Sequence, residues 1–187
     1  MKKTLIFTVA VILIAFTGCK TQKVSVQESE EMVEIKEPFD SKEYRTDDEY
    51  IRAVGMAKSQ DMAFSKSKSE SEAKSKLATS IKTNIERVYS KYANEYSAGK
   101  TQDFNDKSQE MILESTNQTL LEVKVLGTKT FKGKDGSYVT YTATEIKKDV
   151  VYNGIKSKIS SDQKLKTDFQ EEQFKKIFDE QMKKIAE

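Results

Sequence analysis

Apolar residues fall along the chain in blocks whose period changes from one block to the next. Residues 5–16 form an almost unbroken apolar run, and residues 20–48 show no period at all. Bulky and small side chains then alternate through Tyr50-Ile51-Arg52-Ala53-Val54-Gly55-Met56-Ala57, which predicts a strand, although Gly55 weakens it. Ala73, Leu77, Ile81, Ile85, Val88, Tyr92 and Tyr96 recur at steps of three or four, the spacing of one helical face. A helix is expected over residues 61–97, capped by Ser59 or Asp61 and ended by Gly99. At 1.5 Å per residue it would be about 55 Å long, more than a short strand can cover. Its first third, residues 65–72, mixes Ser with Lys and Glu and is polar all round. That part is expected to project into solvent, with coverage by a partner as the alternative.

The rest of the chain reads as a short helix, a hairpin and terminal helices. Residues 103–119 suit a helix with sparse apolar contacts, Phe104, Met111 and Ile112. In residues 121–131, Leu121, Val123, Val125, Gly127 and Phe131 share one parity and are expected on one face of a strand. The turn Lys132-Gly133-Lys134-Asp135-Gly136 contains an Asp-Gly pair that favours a hairpin, with residues 137–145 returning. Val151, Ile155 and Ile159 make one helical stripe. Leu165, Phe169, Phe174, Ile177, Phe178, Met182 and Ile185 make a second, after a break at Ser160-Ser161-Asp162 where Asp162 can cap. This order predicts an α+β fold: a small antiparallel sheet packed on a long helix, with C-terminal helices. No repeat at solenoid periods is visible.

The first apolar run follows Lys2 and Lys3 and precedes the small residues Thr17 and Gly18. A basic start, an apolar middle and a small-residue end make the layout of an export signal. The run is shorter than the roughly 20 apolar residues that span a bilayer, and Lys20 and Lys23 follow at once, which disfavours a transmembrane anchor. Phe16-Thr17-Gly18-Cys19 resembles the lipobox of bacterial lipoprotein precursors, with Phe16 standing where Leu is usual. The resemblance implies cleavage between Gly18 and Cys19 and lipidation of Cys19. Cys19 is the only cysteine, so no internal disulfide can form, and a thioether to diacylglycerol would remove an exposed thiol. Two or more acyl chains anchor stably, at about 0.8 kcal/mol per buried methylene. The expected location is the bacterial cell envelope, and Lys20 after the cysteine reads as an outer-membrane sorting choice.

Four segments result: signal peptide 1–18, acidic tether 19–48, α+β core 49–146 and helical tail 147–187. Residues 28–49 hold ten acids against three bases, together with the only proline, Pro38. Such a stretch buries too little apolar surface to offset chain entropy, and a flexible linker of this length reaches roughly 30 Å. Overall, 36% of residues are hydrophobic and 33% charged, so a small core is expected. The net charge of +2 implies no general attraction to nucleic acid or anionic membrane.

The chain has no His, which excludes Ser-His-Asp triads, H-E-x-x-H zinc sites and His proton shuttles. No catalytic residue, metal site or cofactor is expected. Gly99-Lys100-Thr101 imitates the end of a P-loop, but Asn94 stands where the first Gly must be, and a helix precedes it rather than a strand. Ser-x-x-Lys occurs at Ser65/Lys68, Ser71/Lys74, Ser97/Lys100 and Ser161/Lys164 without its partner motifs, so these read as solvated helix faces. The carboxylates Glu30/Glu31 and Glu171/Glu172 are adjacent in sequence and do not converge on a helix. Residues 58–100 carry nine bases against five acids, able to touch the acidic tether, lipid headgroups or a partner, though a merely solvated helix is the simpler reading. Tyr89, Tyr92 and Tyr96 sit beside the apolar stripe and read as core rings whose hydroxyls reach the edge.

Residues 50–145 resemble the Lpp-twenty lipoprotein family, small outer-membrane lipoproteins related to flagellar accessory proteins. The resemblance rests on Ile51-Arg52-Ala53-Val54-Gly55-Met56-Ala57, on Ala63, Ala73, Leu77-Ala78 and Ile81, on Leu120-Leu121-Glu122-Val123-Lys124-Val125-Leu126, and on the Asp-Gly hairpin with its Tyr-Val-Thr-Tyr return. Ser67 and Met56 depart from the small residues common there. The resemblance implies a dodecin-like sheet and helix in a non-enzymatic envelope protein that often assembles. The expected partners are the membrane, through lipidated Cys19, and another protein or further copies of the chain, but not nucleic acid. The alternative is a module binding a small ligand between helix and sheet.

Overall fold

Three strands pair antiparallel in the order β1-β3-β2, with β1 at Tyr50–Ser59, β2 at Lys124–Lys132 and β3 at Tyr138–Lys147. The helices are α1 (Met62–Tyr96), α2 (Thr101–Leu120), α3 (Lys148–Ser161) and α4 (Glu171–Lys183). The fold is therefore α+β, as the periodicity predicted. The structure, a computed structural model, describes residues 34–96, 101–161 and 169–185. Residues 36–187 form one compact unit. The expected hairpin turn is present: Gly136 has φ 80°, and the Gly133 amide donates to the Ser137 carbonyl over 2.7 Å. The Asp135 carboxylate accepts from the Ser137 amide and hydroxyl and pairs with Lys58 across the sheet at 2.9 Å.

The polar first third of α1 lies on the sheet and does not project into solvent. Ser65 and Ser69 are fully buried and continue the row of Ala73, Leu77, Ile81 and Ile85. They meet a row of buried threonines on β3, Thr140, Thr142 and Thr144. Ser65 Oγ lies 2.9 Å from Thr140 Oγ1 and 3.0 Å from the Ala57 carbonyl, and Ser69 Oγ is 2.7 Å from Thr142 Oγ1. Hydroxyls satisfying hydroxyls make a buried polar interface that a search for apolar periodicity overlooks. Gly55 explains how close the helix comes. A Cβ there would stand 2.3 Å from both the Ala73 nitrogen and the Ser69 carbonyl oxygen.

The second half of α1 outruns the sheet, but the chain's own helices cover it. Leu77, Ile81, Ile85 and Val88 share one core with Met111 and Ile112 of α2, Val151, Ile155 and Ile159 of α3, and Phe174, Ile177, Phe178 and Met182 of α4. Phe174 takes the Tyr89 and Tyr92 rings edge-on at 5.7 and 5.3 Å. Residues expected as a separate helical tail thus complete the core begun by the α+β part. Lys148, at the start of α3, is buried and donates through Nζ to the Met182 carbonyl near the end of α4, at 2.6 Å.

Two expectations about faces are corrected. Leu121 lies in the turn after α2 and is 85% exposed. Val125 pairs with Thr144 while Gly127 pairs with Ala143, so Leu126 is an inserted bulge residue and the parity inverts across it. Val125 and Phe131 consequently do not share a buried face, and both stay substantially exposed. The acidic segment is also ordered over its later part. Phe39 is 7% exposed, seated on the sheet at Gly127, whose added Cβ would be 3.4 Å from the ring. Tyr44 meets Phe39 edge-on at 4.7 Å, and Lys42–Tyr44 form a short 3-10 turn. Two aromatic rings supply the apolar area that the surrounding acids lack.

Candidate interaction surface

The sheet presents two edges that differ in how far they are covered. The β1 edge is closed over its first half, from Tyr50 to Val54, by the segment that precedes it and by α1. The Tyr50 amide donates to the Asp47 carboxylate at 2.8 Å, and the Tyr50 carbonyl accepts from the Asp47 amide at 3.0 Å. Thr46 Oγ1 accepts from the Arg52 amide at 3.0 Å and lies 3.4 Å from its carbonyl. Lys76 of α1 reaches the Val54 carbonyl at 3.2 Å. Arg52 locks this corner: it bonds Asp47 at 2.6 Å and Glu145 at 3.0 Å. Burial would raise the Asp47 carboxyl, but Arg52 and the amides of Tyr50 and Glu49 together outweigh it and hold it below the usual carboxylate range.

The β2 edge is open. Because Tyr50 and Arg52 direct their backbone groups away from β3, the odd-numbered residues of β1 bond to the even-numbered residues of β3. The odd-numbered residues of β3 then bond to Gly127, Lys129 and Phe131. Thr128 and Thr130 therefore point their N–H and C=O groups outward, and among the described residues no hydrogen bond reaches them. Their hydroxyls instead turn toward the helix side, 3.4 Å from Thr142 Oγ1 and 3.1 Å from Thr140 Oγ1.

The side chains along β2 are basic and apolar. Residues 124–134 hold Lys124, Lys129, Lys132 and Lys134 and no acid. Lys129 stands 5.0 Å from the Phe39 ring centre and Lys132 5.6 Å from that of Tyr138. Val125, Leu126 and Phe131 are 44%, 41% and 50% exposed. On the sheet face opposite α1, Phe131 meets Tyr141 edge-on at 6.2 Å, and Met56, paired with Tyr141, is also exposed. The sequence signal was the lysines themselves: cations spaced along a strand mark an edge.

The residues singled out for chemistry do not converge. Gly18 and Cys19 lie outside the described residues, as do Ser97, Lys100 and Lys164. Ser65 is buried under the sheet while Lys68 is exposed, and Lys74 pairs with Glu70. Glu171 pairs with Lys156 and lies apart from exposed Glu172. Tyr89 and Tyr92 are core rings, and the Tyr92 hydroxyl accepts from the Gln170 amide at 2.9 Å. Among the described residues no three metal-ligating side chains come together, and no helix is long and apolar enough to cross a membrane. An open groove of about 680 Å³ lies between α1 and α4, lined by Thr83, Arg87, Asn94, Gln181 and others. Lys91 closes one side through Glu180 at 2.5 Å, a contact that raises the lysine above its ordinary value. Where a ligand between helix and sheet would sit, Gly55 and Ala73 are in contact.

A scan against models of protein families finds no match, and a search of curated proteins finds no relative. The resemblance to the Lpp-twenty lipoproteins rests on the residues quoted for it.

Proposed function

We propose that the chain is a lipid-anchored protein of the bacterial envelope, held at the outer membrane by acylated Cys19, with a structural or accessory protein-binding role and no catalysis. The observation that carries the anchor is Phe16-Thr17-Gly18-Cys19 closing a basic and apolar leader, with Cys19 the only thiol in the chain. The protein-binding role is supported by the open strand β2 and its exposed Val125, Leu126 and Phe131. The long helix does not support it, because α2, α3 and α4 cover its overhang. The resemblance to the Lpp-twenty lipoproteins points the same way.

The test is membrane fractionation with mass measurement of the mature N-terminus. The natural protein is expected to begin at Cys19 and to carry acyl chains, and Cys19→Ser is expected to leave the membrane fraction unacylated. An unmodified cysteine, or a different first residue, would overturn the anchor.

A further inference from the structure

We propose that β2 receives an extended acidic segment of a partner protein as the fourth strand of the sheet. This deepens the protein-binding half of the reading above and rests on it, but not on the lipid anchor. Three observations converge on β2. Thr128 and Thr130 present unpaired backbone donors and acceptors at strand spacing, which an added strand satisfies and a docked helix does not. The other edge is capped over Tyr50, Arg52 and the Val54 carbonyl by Asp47, Thr46 and Lys76, which leaves β2 the less obstructed edge. Lys124 and Lys132 bracket the edge, Lys129 lies between them, and none of the three pairs with a carboxylate among the described residues.

Charge selects the occupant. A second copy pairing β2 with β2 would bring lysines against lysines with no acid between them, and like charges facing across strands are destabilising. An acidic segment turns the same cations into cross-strand pairs. Val125, Leu126 and Phe131 add apolar contact, so the fitting partner carries apolar as well as acidic side chains.

The test is hydrogen exchange on the full chain in detergent, using a synthetic peptide of alternating valine and glutamate and, as the contrast, one of valine and lysine. The glutamate peptide is expected to slow exchange at Thr128 and Thr130, and added salt to weaken it. Thr130→Pro removes an outward N–H without touching a backbone bond to β3, and is expected to weaken binding roughly tenfold or more. Thr130→Val keeps that N–H and is expected to bind, which separates edge loss from misfolding. Lys124→Glu with Lys132→Glu should reverse the preference between the peptides. Equal response to both peptides, unchanged binding by Thr130→Pro, or a concentration-dependent dimer abolished by Thr130→Pro would overturn the proposal. Photocrosslinkers placed at Thr128 and at exposed Leu113 in intact cells distinguish the two failures. Protein adducts from Thr128 support the edge. Adducts from Leu113 alone overturn the edge and leave the protein-binding role, and adducts from neither overturn both.

Discussion

Gly55 and Ala73 touch backbone to backbone: a methyl group on the glycine would lie 2.3 Å from the alanine nitrogen. This contact sets the distance between β1 and α1, and with it the depth at which Ser65 and Ser69 meet the threonines of β3. Gly55→Ala cannot be relieved by rotating a side chain, because the obstacle is main chain. It is expected to destabilise the fold by about 3 kcal/mol or more, read as a lowered urea midpoint by circular dichroism.

The Ser69–Thr142 contact replaces apolar packing with a shared hydrogen bond in a dry interface. Ser69→Ala alone strands part of the bonding capacity of Thr142 and is expected to cost about 1–2 kcal/mol. Adding Thr142→Val removes the stranded hydroxyl, so the double variant should be more stable than the sum of the two single losses. A double-mutant cycle in urea measures the coupling, and strict additivity would mean that the two hydroxyls do not act together.

Phe39 is the apolar contact that seats an otherwise acidic segment on the sheet. Phe39→Ala is expected to free the segment locally while the body keeps its thermal midpoint. Tryptic cleavage after Lys42 and Arg45 should quicken by roughly tenfold or more, since proteolysis follows local opening. Unchanged cleavage would show that Tyr44 and the Arg45–Asp40 pair hold the segment without the ring.

Lys148 gives the fold a dependence on alkaline pH. Burial lowers its pKa from the ordinary 10.5, and Asp48, Asp47 and Asp179 offset only part of that effect. Below the lowered value both the folded and the unfolded chain are charged at this residue, and the full penalty applies. Between the lowered value and 10.5 the unfolded chain holds the proton longer, so stability contributed here rises with pH. Wild type minus Lys148→Met, compared by guanidinium unfolding from pH 7.5 upward, should therefore increase toward pH 10.5. Taking the difference cancels the tyrosines, whose pKa values are raised by burial at Tyr89, Tyr141 and Tyr152 in both proteins.

Period and turn chemistry together were enough to predict the order of the elements. The apolar stripe from Ala73 to Tyr92 is buried as its spacing required, Val151, Ile155 and Ile159 line one face of α3, and Asp135-Gly136 turns the hairpin. These outcomes follow from geometry that is local to the chain, 3.6 residues per helical turn and two per strand repeat. The Cys19 reading is local in the same sense, resting on consecutive residues.

What only the tertiary structure decided depends on residues far apart in sequence. Ser65 and Ser69 look solvent-facing until Thr140 and Thr142 arrive to pair with them. The bulge at Leu126 that turns Val125 from Phe131 is a property of two strands in register, not of one. Phe39 is an isolated ring in an acidic stretch until Gly127 leaves a place for it. The overhang of α1 looks open to a partner until Phe174 and its neighbours cover it. The open edge of β2 exists because β3, the last strand in the chain, is the middle one in the sheet. Each is a pairwise fit between surfaces, and burial in a pair cannot be read from one member of it.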